Sequence, residues 1–257
     1  MAPVFCVILS RLPARVNRTQ TIKCTIVKAL SLLVLTALLA GLAAAQTASV
    51  LLERGKKKLL RQDYAAALDD FTRVLTQNDT AAEALALRGR AKFHLFDYEG
   101  ARADYKRSLE LSPGRAETWL YSGNLYLHHN EPALALRDYD RALQLDTSLA
   151  EARLQRGITR ARLNDHSGAV ADFSRLPEQE TALFYRGVSL YELKQYPASI
   201  RDLSRVLELN PGNSDAWYNR GLAHAFNKET EKACTDFRRA QELGSTLAFA
   251  ALAKWCQ

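Results

Sequence analysis

The chain has 257 residues, 47% apolar and 25% charged, the balance of an ordinary folded protein of one or two domains and not of a disordered one. Its formal charge of +7 is unevenly placed: Arg11, Arg15, Arg18, Lys23 and Lys28 fall within residues 1–45, which hold no acid, leaving 30 basic and 28 acidic side chains beyond. A remainder of +2 makes no field that would gather a phosphate backbone, which argues against nucleic-acid binding.

In chain order, the basic start runs into the apolar stretch "ALSLLVLTALLAGLAAA", Ala29 to Ala45, which ends in small residues before Gln46. This is the order of a signal peptide over residues 1–45, with Ala43 and Ala45 forming the cleavage site and Gln46 opening the mature chain. No Cys follows the apolar run, so no lipoprotein anchor is expected. The run's 17 residues also suit an uncleaved signal anchor at the short end of what spans a bilayer. In both cases the basic flank stays cytoplasmic and the rest is exported, to a periplasm or out of the cell. The basic region is long for a signal peptide, as it would be if the true start lay downstream of Met1.

Of the four cysteines, Cys6 and Cys24 belong to that leader, and Cys234 and Cys256 remain. A disulfide between the latter suits an exported chain and would stabilise the C-terminus by about 3 kcal/mol on the chain-entropy view, while two buried thiols are the alternative.

From residue 48 onward the sequence repeats itself in distance more than in letters. Gly55, Gly89, Gly123, Gly157, Gly187 and Gly221 are separated by 34, 34, 34, 30 and 34 residues. Fifteen residues after each stands an aspartate: Asp70, Asp104, Asp138, Asp172, Asp202 and Asp236. Phe71, Tyr105, Tyr139, Phe173, Leu203 and Phe237 follow those aspartates, and a small residue (Ala67, Ala101, Ala135, Ala169, Ser199, Ala233) lies twelve after each glycine. Trp119 and Trp217 precede two of the glycines by four positions, and Pro113 and Pro211 close two of the units.

This pattern resembles the tetratricopeptide repeat over about residues 48–243. The resemblance implies an all-α chain, a right-handed α-α superhelix (a tetratricopeptide-repeat solenoid) of six repeats over residues 46–244. A C-terminal capping helix over residues 245–257 should cover the last repeat, tied by Cys234 and Cys256. Each repeat is two helices too short to bury an apolar face alone, so stacking is obligatory. The glycine of the first helix should let the backbone of the second approach, and Ala67, Phe71 and Val74 or Ala101, Tyr105 and Ser108 place one stripe inward. The stretches "QDY", "FDY" and "KQYP" mark turns with a residue to cap the next helix. Arg54, Arg88, Arg156, Arg186 and Arg220 precede the glycine, with Ser122 the exception, and each arginine should reach one of the periodic aspartates. The fourth repeat lacks four residues, and Pro177 should end its second helix early and change the local pitch. Pro132 should open the second helix of the third repeat, and Ser245 should cap the final helix.

No catalytic motif or metal-ligand spacing is present: His94, His128, His129, His166 and His224 form no ligand pattern, and the periodic acids are accounted for by the repeat. No enzyme activity, cofactor or metal is expected. The resemblance instead implies a groove lined by the first helices, for an extended peptide or helix of another protein. Its polar to basic end would carry Lys56, Arg90, Phe93, His94, Asn124, His128 and Arg162, and its aromatic end Phe184, Tyr191, Tyr218 and Phe226. The family's carboxylate clamp needs a Lys where this chain has Leu52, Ala86, Leu120, Leu154, Phe184 and Tyr218, so that specialisation is not expected. An exported scaffold or adaptor is the leading reading. A structural subunit of an envelope assembly, and an accessory subunit of a polysaccharide or peptidoglycan enzyme with Tyr191 and Tyr218 as sugar platforms, stay open.

Overall fold

The computed structural model of the protein describes residues 30–36, 47–176 and 178–256. The expected cleavage site, most of the expected leader and Pro177 lie outside them. The described residues are all-α. Helix α1 covers 30–36 and α2 covers 47–60. There follow α3 (Tyr64–Gln77), α4 (Ala82–His94), α5 (Tyr98–Leu111), α6 (Ala116–His128), α7 (Pro132–Leu145), α8 (Ala150–Arg162) and α9 (His166–Phe173). The last are α10 (Glu180–Glu192), α11 (Tyr196–Leu209), α12 (Ser214–Phe226), α13 (Thr230–Glu242) and α14 (Leu247–Trp255). From α2 to α13 they form six successive helix pairs in the register of the glycines.

Every pair is joined by the same turn. Gln62, Phe96, Asn130, Asn164, Lys194 and Lys228, each seven residues after its glycine, have φ between 59° and 64°. The next residue donates its N–H back five positions, as Asp97 does to the Lys92 carbonyl (2.9 Å) and Asp165 to that of Arg160 (2.9 Å). This is the Schellman ending, which absorbs carbonyls the helix leaves unpaired. In three pairs that residue also starts the following helix: Asp63, Asp97 and Asp165 accept from the backbone N–H groups of Ala66, Gly100 and Gly168. Pro132 stands in the first turn of α7. Ser245 is not the cap of α14: Thr246 takes that place with no side-chain bond, and Ser245 is buried.

The chain divides into two compact units, residues 1–91 and 92–257. In the first, Phe71 is buried with Ala67, Leu59 and Ala91. In the second, consecutive helices pack against each other from α5 to α14, and α6, α8, α10, α12 and α14 also touch the next of their own set, forming one layer. The core is repeated: Tyr139, Phe173, Leu203 and Phe237 each lie at the centre of a cluster. A Cβ on Gly123 would stand 2.5 Å from Tyr139 Cε1, and one on Gly157 or Gly221 2.6 Å from Phe173 or Phe237 Cε1. The glycine therefore makes room for the flat ring of the second helix more than for its backbone, which corrects the expectation. At Gly221 a backbone atom is also among the three nearest neighbours, the Ala233 carbonyl oxygen at 3.3 Å.

Helix α9 has 8 residues where its counterparts have 13 or 14, so the four missing residues are taken from this helix. At the other end, α14 packs on α13, and the structure pairs Cys234 with Cys256 at a Cα separation of 5.7 Å.

Candidate interaction surface

The periodic aspartates are built into the repeats. Asp70, Asp104, Asp138, Asp172 and Asp236 are all less than 5% exposed. Buried carboxylates need charged partners, and for all of these but Asp138 they come from the first helix of the same pair. Arg156 grips Asp172 through Nε (2.9 Å) and Nη2 (2.5 Å), Arg186 holds Asp202 (2.6 and 2.8 Å), Arg220 holds Asp236 (2.7 and 2.8 Å), and Arg54 holds Asp70 in the same way. A second cation, three residues after the glycine, reinforces several of them: Lys58 reaches Asp70 at 2.7 Å, Lys92 reaches Asp104 at 2.9 Å and Arg160 reaches Asp172 at 2.8 Å. The Arg54 guanidinium, aided by Lys58, holds the Asp70 carboxyl below the usual carboxylate range against the opposing effect of burial.

The residues expected in the groove separate into those tied up in the fold and those gathered into clusters. Lys56 lies between Glu53 (2.8 Å) and Glu83 (2.6 Å). Asn124 accepts the Tyr139 hydroxyl at 2.7 Å. Tyr218 packs on Phe237, ring centroids 6.0 Å apart, and Phe184 packs against the core around Leu203. Arg90 is half-buried in α4, and Arg162 is exposed at the end of α8.

The remaining aromatic positions come together, with partners the sequence reading did not select. Tyr191 and Phe226 are 5.7 Å apart, and both meet Tyr196, at 5.8 and 5.7 Å. Phe226 also meets Trp255 of α14 edge-on at 5.4 Å. Phe226 nonetheless stays 43% exposed, and burial raises the hydroxyl pKa of Tyr191. A second cluster forms at Phe93, Tyr98, His128 and His129, where Tyr98 lies 4.2 Å from His128 and 5.7 Å from His129, and Phe93 lies 5.8 Å from His128. His94 meets Phe93 edge-on at 5.5 Å.

The two clusters occupy equivalent places. In each, one ring comes from the last turn of a first helix (Phe93, Tyr191), one from the start of the second helix (Tyr98, Tyr196), and one from the end of the next first helix (His128, Phe226). In the sequence Tyr98 and Tyr196 stand out only as turn markers, and Trp255 lies beyond the repeats. The signal that finds them is the distance to the glycine, four, nine and, in the next repeat, five residues.

Among the described residues no group of three or more His, Cys, Asp or Glu is arranged to hold a metal ion, and no helix is long and apolar enough to cross a membrane.

Family models for the tetratricopeptide repeat match residues 184–248 and 82–115. Among solved structures, the chain is similar to YrrB, described as a tetratricopeptide-repeat protein with an unusual peptide-binding site: TM-score 0.67, 24% identity, 70% of this chain and 96% of that one. It is similar to PilF of Pseudomonas aeruginosa, with TM-score 0.72, 14% identity, and 82% and 99% covered. PilW, described as a widely conserved type IV pilus biogenesis factor, aligns with TM-score 0.67, 18% identity, and 80% and 99% covered. At these identities the likeness is one of fold. A comparison with curated proteins found no match.

Proposed function

The chain is a tetratricopeptide-repeat protein, and from that premise we propose that it is an exported interaction scaffold that binds other proteins through its ring clusters and performs no catalysis. The single observation that carries this reading is the recurrence of the cluster, Phe93, Tyr98 and His128 in one place and Tyr191, Tyr196 and Phe226 in the other. Packing alone does not ask for half-exposed rings at the same turn of two repeats. Rings so placed offer flat apolar contact with a polar edge, the kind that anchors an extended peptide or a partner helix. Export is supported by the basic start and apolar run, and by the pairing of Cys234 with Cys256. The resemblance of fold to PilW is compatible with work in a cell envelope.

A second reading, a structural subunit of an envelope assembly, is favoured by one feature: Leu247 and Phe249 on α14 are 58% and 60% exposed. The discriminating experiment is capture of partners with the exported chain. Tyr191→Ala together with Phe226→Ala should lose the partner, while Leu247→Ser together with Phe249→Ser should keep it. Loss only with the second pair would favour the assembly reading.

A further inference from the structure

One aspartate departs from the pattern that holds the others. Before the glycine of the third pair the chain has Ser122 where Arg54, Arg156, Arg186 and Arg220 stand elsewhere. Three residues after that glycine it has Tyr126, where Lys58, Lys92 and Arg160 supply a second cation. Asp138 is as buried as its counterparts, at 1% exposure, yet neither cation reaches it. It accepts the Ser122 hydroxyl at 2.6 Å. Its other oxygen meets only the mostly exposed Arg137, at 3.4 Å from Nε and Nη2.

The space that a guanidinium fills elsewhere is open here. A cavity of about 500 Å³ lies among α5, α6 and α7, with Ser122 and Asp138 in its lining, a size within the range of ligand pockets. Tyr105, Trp119 and Tyr126 also line it. Trp119 is held in place by the bond from its Nε1 to the Pro113 carbonyl, 2.9 Å. Aromatic walls beside a buried carboxylate suit a planar cation, which stacks on the rings while its N–H groups meet the acid. Burial raises the Asp138 carboxyl pKa, in contrast to Asp70 beside Arg54, because the Ser122 hydroxyl and the mostly exposed Arg137 offset it only in part.

We propose that this cavity receives an arginine side chain of a partner protein, whose guanidinium takes the place before Asp138 that the chain's own arginine fills in the other repeats. Lys106, Arg102 and Arg137 also line the cavity and are exposed, and the one further acid there, Glu110, is engaged by Arg107 at 3.2 Å. The surroundings are basic, so the inserted arginine is flanked by acid residues. The site uses none of the rings of the two clusters and stands apart from the function proposed for them.

The test is titration of the full chain with acetyl-Glu-Arg-Glu amide, followed through the backbone amides and the Trp119 indole N–H by two-dimensional NMR. Saturable shifts are expected at Trp119, Ser122 and Asp138. Replacing the arginine by its neutral isostere citrulline should weaken binding about tenfold or more, as loss of a charged hydrogen-bond partner does. Asp138→Asn should weaken it likewise, and Ser122→Arg, which supplies the guanidinium from the chain itself, should abolish it. If Asp138→Asn fails to fold, the citrulline peptide and Ser122→Arg decide alone. Absence of saturable shifts, or undiminished binding to Ser122→Arg, overturns the proposal. So does equal affinity for the citrulline peptide, which would make Arg102, Lys106 and Arg137 a site for acids.

Discussion

A methyl group added at Gly157 would stand 2.6 Å from Phe173 Cε1, and Phe173 is 1% exposed, so the ring has nowhere to move. Gly157→Ala should therefore lower stability by about 1–3 kcal/mol, the cost of overpacking. Gly114→Ala, with nothing within 4 Å of the added carbon, should change it by less than about 0.5 kcal/mol. Chemical denaturation of the two variants checks both. Asp70 gives a test against pH. Its carboxyl is held low by Arg54 and then Lys58, so the ionised form is favoured in the folded chain. The stability this contributes is complete above the unfolded carboxyl pKa of about 3.9 and is lost as pH falls through the lower folded value. Asp70→Asn should be less stable at neutral pH and lose less on acidification, as read by urea unfolding from pH 7 to pH 2. Arg-to-Asp pairing was legible in the sequence because both residues recur at fixed distance from a glycine. The ring behind each glycine was less so, since spacing does not distinguish a close backbone from a close side chain.

The turn between paired helices is the element on which the repeat depends, and it places four ordinary residues, Gln62, Phe96, Lys194 and Lys228, in the left-handed region. An L-residue pays about 1–2 kcal/mol there and glycine does not, so Lys194→Gly should raise stability by about 1 kcal/mol, less what the freer unfolded chain takes back. Thermal unfolding checks it, and a loss of stability would contradict the account of the turn. These positions were invisible to a reading by residue type, because only Asn130 and Asn164 are common in that conformation. The short α14 makes a different prediction. We propose that the bond between Cys234 and Cys256, 22 residues apart, persists in the protein under oxidising conditions and holds α14 on α13. Reduction, or Cys256→Ser, should cost about 3 kcal/mol and raise amide exchange in α14 first. Uniform exchange throughout the second unit would show that the helix is held by packing alone.

For the molecule as a whole, the periodic glycines and aspartates made the helix pairs readable before any coordinates. The ring clusters proposed as the interaction surface were readable only in part. Tyr191, Phe226, Phe93 and His128 follow from first-helix positions. Tyr98, Tyr196 and Trp255 join them from other helices, a meeting that depends on how one pair follows the next. Lys56, Asn124 and Tyr218 sit at groove positions by number, yet Glu83, the Tyr139 hydroxyl and the Phe237 ring engage them. The central claim is that the ring clusters are where partners bind. The most direct measurement is site-specific photo-crosslinking in cells, with a photoreactive phenylalanine analogue placed at Phe226, and at the exposed Arg141 on α7 as the comparison. The account predicts a discrete protein adduct from Phe226 and none of that mass from Arg141. An adduct from Arg141 alone, or the same adduct from both, would contradict it.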